Sequence, residues 1–331
     1  MKKTLIAAAV LAASGAAMAQ SSVQIYGTVD LWVGSTKDTA VSNQRTTKID
    51  SSGLDTAKLG FRGSEDLGGG LKANFNLEAQ ISPDEGIGLN NGFNRISWLG
   101  LSGGFGEVQL GKVWSAFDDA FFPLLNNKAA IGFIVAPGLT YNDRPNNSIK
   151  YISPEFGGFT ATGSFSLGEN GTATRGNSNI SSLAGTYAAD AFTISAATQT
   201  EKLLSTGEDK RTNSFIGGSY DFGVVSVEGT IKRGEETTGA TEVKFNEYQF
   251  GVVAPLSDVM EVSFGYGRSQ SKIAGIDQEK IASFGAVLRY SLSKRTTLYT
   301  GFTRAKTTDQ TVPGTPSTTA TLYAAGINHN F

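Results

Sequence analysis

A strict two-residue period constrains this chain more than any other feature. From Leu71 to Ile81 every odd position is apolar (Leu71, Ala73, Phe75, Leu77, Ala79, Ile81), and every even one is polar or charged (Lys72, Asn74, Asn76, Glu78, Gln80). Side chains alternate between the two faces of a β-strand, so this segment has one greasy side and one wet side. It runs for eleven residues, the length a tilted strand needs to cross a bilayer; strands of soluble domains average about five or six. The pattern predicts a membrane-crossing strand, lipid on its odd face and water on its even face.

The same alternation recurs. Strands are expected near 23–34, 54–65, 71–81, 93–102, 107–113, 148–153, 159–167, 180–188, 192–200, 212–221, 224–232, 245–253, 260–270, 280–290, 296–306 and 320–331, sixteen in all. Tight Gly- and Asp-bearing turns such as Asp66–Gly70, Gly103–Gly106 and Asp221–Gly223 alternate with longer polar loops at 35–52, 82–92, 201–210 and 307–319. Gly and Asp tolerate the positive φ that short hairpins require. Short turns on one rim and long loops on the other are the layout of an all-β, transmembrane antiparallel barrel. An even strand count puts both termini on the short-turn, periplasmic side.

One connection breaks the rule. From Trp114 to Asn147 there is no sustained alternation, yet the segment carries Phe117, Phe121, Phe122, Leu124, Leu125, Ile131, Phe133, Ile134 and Val135. Apolar side chains on a long loop need cover, and loops of this length are usually functional. Folding into the lumen would bury them against the wall.

Composition narrows the alternatives. No stretch of about 18 apolar residues occurs, which excludes a helical membrane protein. Lys2 and Lys3, the short apolar run Leu5–Ala13 and the small residues Ala17 and Ala19 predict a signal peptide over 1–19. One barrel domain over 20–331 would remain, with 26 basic and 30 acidic residues, a balance that suggests no nucleic-acid partner. There is no cysteine and a single histidine, His329. Nucleophilic triads need a base within reach of a nucleophile, and His329 is expected to face outward, so an enzyme is not expected and no cofactor or metal is implied.

Four segments carry a family likeness: Ser22–Gly27, Leu59–Leu71, Tyr151–Phe159 and Gly326–Phe331. In sequence and in order the chain resembles the general porins of β-proteobacteria, trimeric sixteen-stranded barrels of the Bordetella, Burkholderia and Neisseria type. The resemblance implies an outer-membrane homotrimer passing ions and small hydrophilic solutes, with the loop after strand five narrowing the bore. It also implies an eyelet in which acidic loop residues face a basic wall. Carried over by position, the acidic side is Asp118 and Asp119, and the basic wall includes Lys58 and Arg95. Parity supports Lys58 separately, because Leu59 and Phe61 take the lipid side; around Arg95 it is obscured by Trp98-Leu99-Gly100-Leu101. Lys112, Arg144 and Lys150 are further candidates, Lys150 lying between Ile149 and Tyr151. The terminal aromatic Phe331, in phase with Tyr323 and Ile327, looks like the signal read by barrel-assembly machinery.

Two other functions stay open at this point. A closed barrel could serve as an adhesin whose loops bind host or phage proteins. A substrate-specific pore would show an aromatic slide along the lumen, whereas most strand aromatics with clear parity point outward. Asp118 and Asp119 could in principle do acid–base work, but in an aqueous channel paired carboxylates serve more simply as fixed charges.

Overall fold

The structure, a computed structural model, describes residues 22–89, 92–124, 140–168, 179–202, 209–312 and 314–331. The expected signal peptide lies outside the described residues, as do Leu125, Ile131, Phe133, Ile134 and Val135 of the apolar connection. Seventeen β-segments form one antiparallel sheet: β1 Ser22–Asp38, β2 Thr46–Ser51, β3 Lys58–Gly68, β4 Leu71–Gln80, β5 Ile96–Gly103, β6 Gly106–Lys112, β7 Ser148–Ile152, β8 Phe159–Ser166 and β9 Ile180–Ala189, followed by β10 Phe192–Lys202, β11 Lys210–Asp221, β12 Ser226–Thr238, β13 Thr241–Ser257, β14 Met260–Ile273, β15 Ile276–Ser291, β16 Thr296–Asp309 and β17 Thr318–Asn330.

The sheet closes on itself. β1 pairs with β17 from Thr28↔Asn330 to Asp38↔Ala320. Gly27 and Phe331 exchange backbone hydrogen bonds of 3.2 and 3.1 Å at the seam. Closure matters because an open edge would leave backbone amides unpaired in hydrocarbon.

β1 pairs with β3 along one half (Ser22↔Ser64 to Thr28↔Lys58) and with β2 along the other (Leu31↔Ser51 to Thr36↔Thr46). β2 and β3 are thus two halves of one wall strand, and the seventeen segments make a closed barrel of sixteen strands. The strand expected at 54–65 begins only at Lys58, and 52–57 break the wall strand instead of joining it, because the buried Asp30 carboxylate captures the backbone N–H groups of Gly53, Leu54 and Asp55. The loop expected at 35–52 shrinks to match.

The two skins of the wall differ as the alternation requires. Large apolar side chains stand exposed on the outside, among them Ile25 (60%), Leu99 (63%) and Leu183 (62%). Their neighbours in sequence turn inward and interact: Tyr26 donates to Asn76 and Glu78 at 2.7 and 2.9 Å, and Asn74 donates to Ser102 at 2.8 Å. The even side of residues 72–80 therefore belongs to the polar inner skin. The phase of β5 is now clear, since Leu99 and Leu101 are exposed outside and Trp98 shares its register row with the inward Asn76. Arg95 has the parity of Leu99 but lies ahead of β5, outside its alternation, and turns inward to Glu78.

Within the irregular connection sits a helix that the alternation did not foretell, α1 (Ala116–Phe121), running into a 3-10 turn at Phe122–Leu124. Ser115 caps it, accepting from the Asp118 N–H at 3.1 Å. A Ser followed three residues later by Asp is a helix-start signal, here hidden by the β-rich context.

Candidate functional site: the inner wall and the loop helix

α1 lies on the inner face of the wall, the side opposite the exposed apolar skin. Phe117 and Phe121 are almost completely buried with Ala184, Ala197 and Phe215 of β9, β10 and β11. The Phe215 ring lies 5.1 Å from Phe117 and 4.8 Å from Phe121, and the Tyr141 ring on the returning chain lies 4.7 Å from Phe117, tilted by 60°. Burying an aromatic of this size stabilises by about 2–3 kcal/mol. The first-turn N–H groups of Ala116 and Phe117 would have no partner in a free helix. Here they donate to Ser164 Oγ at 3.0 Å and Ser182 Oγ at 2.7 Å, two inward serines of the wall.

The returning chain is tied down as well. Asn142 donates its N–H to Glu201 at 2.7 Å and accepts from Gln199 at 2.9 Å, and Ser115 donates to the Asp143 carbonyl at 2.8 Å. Beneath Phe121 the buried Lys232–Glu247 pair spans 2.9 Å, its ammonium 5.3 Å from the ring. A buried ion pair of this kind costs desolvation, but losing either partner costs more.

The structure separates the two aspartates. Asp119 forms an ion pair with Lys150 of β7, whose ammonium is almost fully buried. Asp118 turns away from the open bore into the seam, where it accepts the Tyr141 hydroxyl at 2.6 Å. Burial pushes the Asp118 carboxyl up to about 7, against the pull of the Tyr141 hydrogen bond. Burial also raises Asp119, with Lys150 opposing the shift. The Tyr141 hydroxyl is held well above its ordinary range by burial and by the neighbouring Asp118 charge.

Three of the expected basic residues gather around Trp114. The guanidinium of Arg95 lies 5.4 Å from the indole and that of Arg144 lies 4.9 Å from it. Lys112 donates to the Arg144 carbonyl at 2.7 Å and to Asn146 Oδ1 at 2.9 Å, both neutral acceptors. The carboxylates in the group are Glu78, 2.5 Å from Arg95, and Asp143, 3.0 Å from Arg144. Lys58 stands apart, paired with Asp55 at 2.8 Å. His329 bonds Thr296 at 2.9 Å through Nδ1, next to the outward Ile327.

A model of the Gram-negative porin family matches residues 6–310. The chain belongs to the Gram-negative porins.

Among curated relatives, outer membrane porin protein 32 of Delftia acidovorans is 37% identical over 348 residues, covering 99% of this chain and 95% of that protein. An outer-membrane porin of Bordetella pertussis is 28% identical over the full length of both. Major outer membrane protein P.IB of Neisseria meningitidis is 33% identical across 51% of each chain. Among solved structures, the anion-selective porin from Comamonas acidovorans superposes with a TM-score of 0.81 at 31% identity, covering 94% of this chain and all of that one. The protein is thus an outer-membrane channel for the passive diffusion of ions and small hydrophilic solutes, and family and fold point to a channel rather than an enzyme.

Several residues that shape this porin's interior were not anticipated. Ser164, Ser182 and Phe215 lie on inward positions of their strands, so parity could have flagged them, but nothing local says that a helix covers them. Glu78, the partner of Arg95, was visible as an even position of the 71–81 alternation. Tyr141 carries no local signal.

Proposed function

We propose that α1 and the returning segment narrow the porin's bore to a neck whose field favours anions. Asp119 supplies the acidic side, answered by Lys150, while Arg95, Lys112 and Arg144, with Lys58 further round, form the basic wall. The cluster around Trp114 supports this most directly: it holds three cations and two carboxylates, and Lys112 spends its charge on neutral acceptors. Asp118, with a carboxyl near 7, adds little negative charge below neutral pH. The solved relative described as anion-selective agrees in sign. Rings of fixed charge at a constriction set selectivity in this way, and transport needs no cofactor or energy source.

The porin is further proposed to act as a homotrimer in outer-membrane lipid. Phe331 would be read by the barrel-assembly machinery; its backbone bonds Gly27 and its ring remains partly exposed at the closing seam. Segment 1–19 is proposed to direct export and be removed.

Reversal potentials across a KCl gradient test the neck. The wild type should prefer chloride, and Arg95→Gln/Lys112→Gln/Arg144→Gln should lose that preference while still giving ohmic current steps. An unchanged reversal potential in the triple variant refutes the basic wall, and a silent bilayer with correctly folded protein would favour the closed, adhesive barrel.

A further inference from the structure

We infer that the break between β2 and β3 is a second inward fold, a ledge fixed by Asp30, which narrows the bore from the side opposite α1. This rests on the proposed neck. Residues 52–57 leave the wall on its inner side. Asp30 of β1 is fully buried, and its carboxylate accepts five hydrogen bonds: from the N–H groups of Gly53, Leu54 and Asp55 at 3.0, 3.0 and 2.9 Å, from the Tyr299 hydroxyl at 2.5 Å, and from the Asn328 amide at 2.9 Å. Three consecutive backbone donors converging on one carboxylate hold a chain segment more firmly than a loop of this length usually is.

The rest of the ledge is built to fit. Ser52 takes a positive φ of 66°, and its hydroxyl receives the Ala57 N–H at 2.9 Å. A Cβ on Gly53 would collide with the Tyr299 hydroxyl and the Trp32 ring, so only glycine fits there. Leu54 packs on Trp32, Val287, Tyr299 and Ala324, inward side chains of β1, β15, β16 and β17. α1 and its 3-10 turn rest on β8 to β12. In a ring of sixteen strands, these two bolsters stand nearly across from each other. The ledge presents its charged edge, the Asp55–Lys58 pair, while its apolar side is spent on the wall; the Asp55 side chain is 46% exposed. Asp30 is a positioning residue, touching no solute itself but setting where that pair stands.

The porin has no cysteine of its own, so single thiols give a clean test in the full-length refolded protein in planar bilayers. Asp55→Cys and Asp119→Cys are each treated with a bulky methanethiosulfonate reagent during single-channel recording. Modification at either position should cause a stepwise loss of current. If Asp119→Cys responds and Asp55→Cys does not, the ledge lies clear of the neck and the inference fails while the α1 neck stands. If neither responds, the neck itself is wrong. Asp30→Asn, of the same size but offering donors where five donors converge, should raise open-channel noise and speed labelling of Asp55→Cys without changing heat-modifiable gel mobility. Tyr299→Phe, which removes one of the five bonds, should do the same more weakly. Quiet channels and unaltered labelling in both variants overturn the role given to Asp30.

Discussion

Replacing Asp118 by Asn should remove a pH dependence from the seating of α1. The carboxyl is buried in the seam, facing Tyr141 on the returning chain, Asp119 on its own helix, and Asp143 and Arg144 beyond; Lys232 and Glu247 lie on the wall behind Tyr141. Seated, it holds its proton up to about pH 7; lifted into channel water, it would titrate near its ordinary 3.8. Raising an acid's pKa favours the protonated form, so this group supports the seated helix most below pH 4. That support is lost progressively as pH rises towards 7. Between pH 5 and pH 8 the lifted state is already ionised while the seated state gives up its proton only near 7, a difference of about 3 kcal/mol, or close to two decades in the seating equilibrium. Hydrogen exchange of the Ala116 and Phe117 amides, corrected for intrinsic rates, reads that equilibrium, since both are bonded to wall serines. Protection should fall by up to roughly two decades from pH 5 to pH 8 in the wild type and stay nearly flat in Asp118→Asn. An Asn oxygen can still accept from Tyr141, so the variant should keep its helix. Equal pH profiles in the two proteins would refute the assignment of the seam carboxyl.

Phe117→Ala should weaken the seam by about 3–5 kcal/mol, giving a wider, noisier channel while thermal unfolding of the barrel in detergent changes little. Asp119→Asn leaves the buried Lys150 ammonium without its carboxylate, and the reversal potential should move further towards anions; a shift towards cations would contradict the pairing. Lys232→Met strands Glu247 with Gln249 as a remaining donor at 2.7 Å. It should lower stability by about 3 kcal/mol in guanidinium unfolding, and adding Glu247→Gln should recover part of the loss.

The barrel was legible because its defining constraint is local and periodic. Each crossing strand must show lipid one face and water the other, so Leu71–Ile81 declares its orientation without reference to any other part of the chain. The hairpin turns are equally local: Gly68, Gly69 and Gly70 all take positive φ, between 62° and 85°. Where the pattern faltered, at Trp98–Leu101, the difficulty was a lumen-facing Trp, an apolar residue on the wet side. Parity assigns such a residue correctly only when its cross-strand neighbour Asn76 is known.

The proposed neck obeys a different logic, which is why its candidate residues are easier to name from sequence than their contacts. It is assembled from irregular backbone, and irregular backbone can sit at membrane depth only where protein or channel water satisfies its polar groups. Each departure from the wall is therefore matched by inward side chains that take up its N–H groups: Ser164 and Ser182 for α1, Asp30 for the 52–57 break. These acceptors lie between 23 and 65 residues away in sequence and look like ordinary lumen polar residues until the covering segment is in place. Asp118 and Asp119 show the consequence. Adjacent in sequence and identical in chemistry, they part by the turn of a helix, one into the seam and one towards Lys150. The inner serines and the buried aspartate shape the bore as much as its visible charges do, because they determine where irregular chain can rest against a wall that otherwise admits only strands.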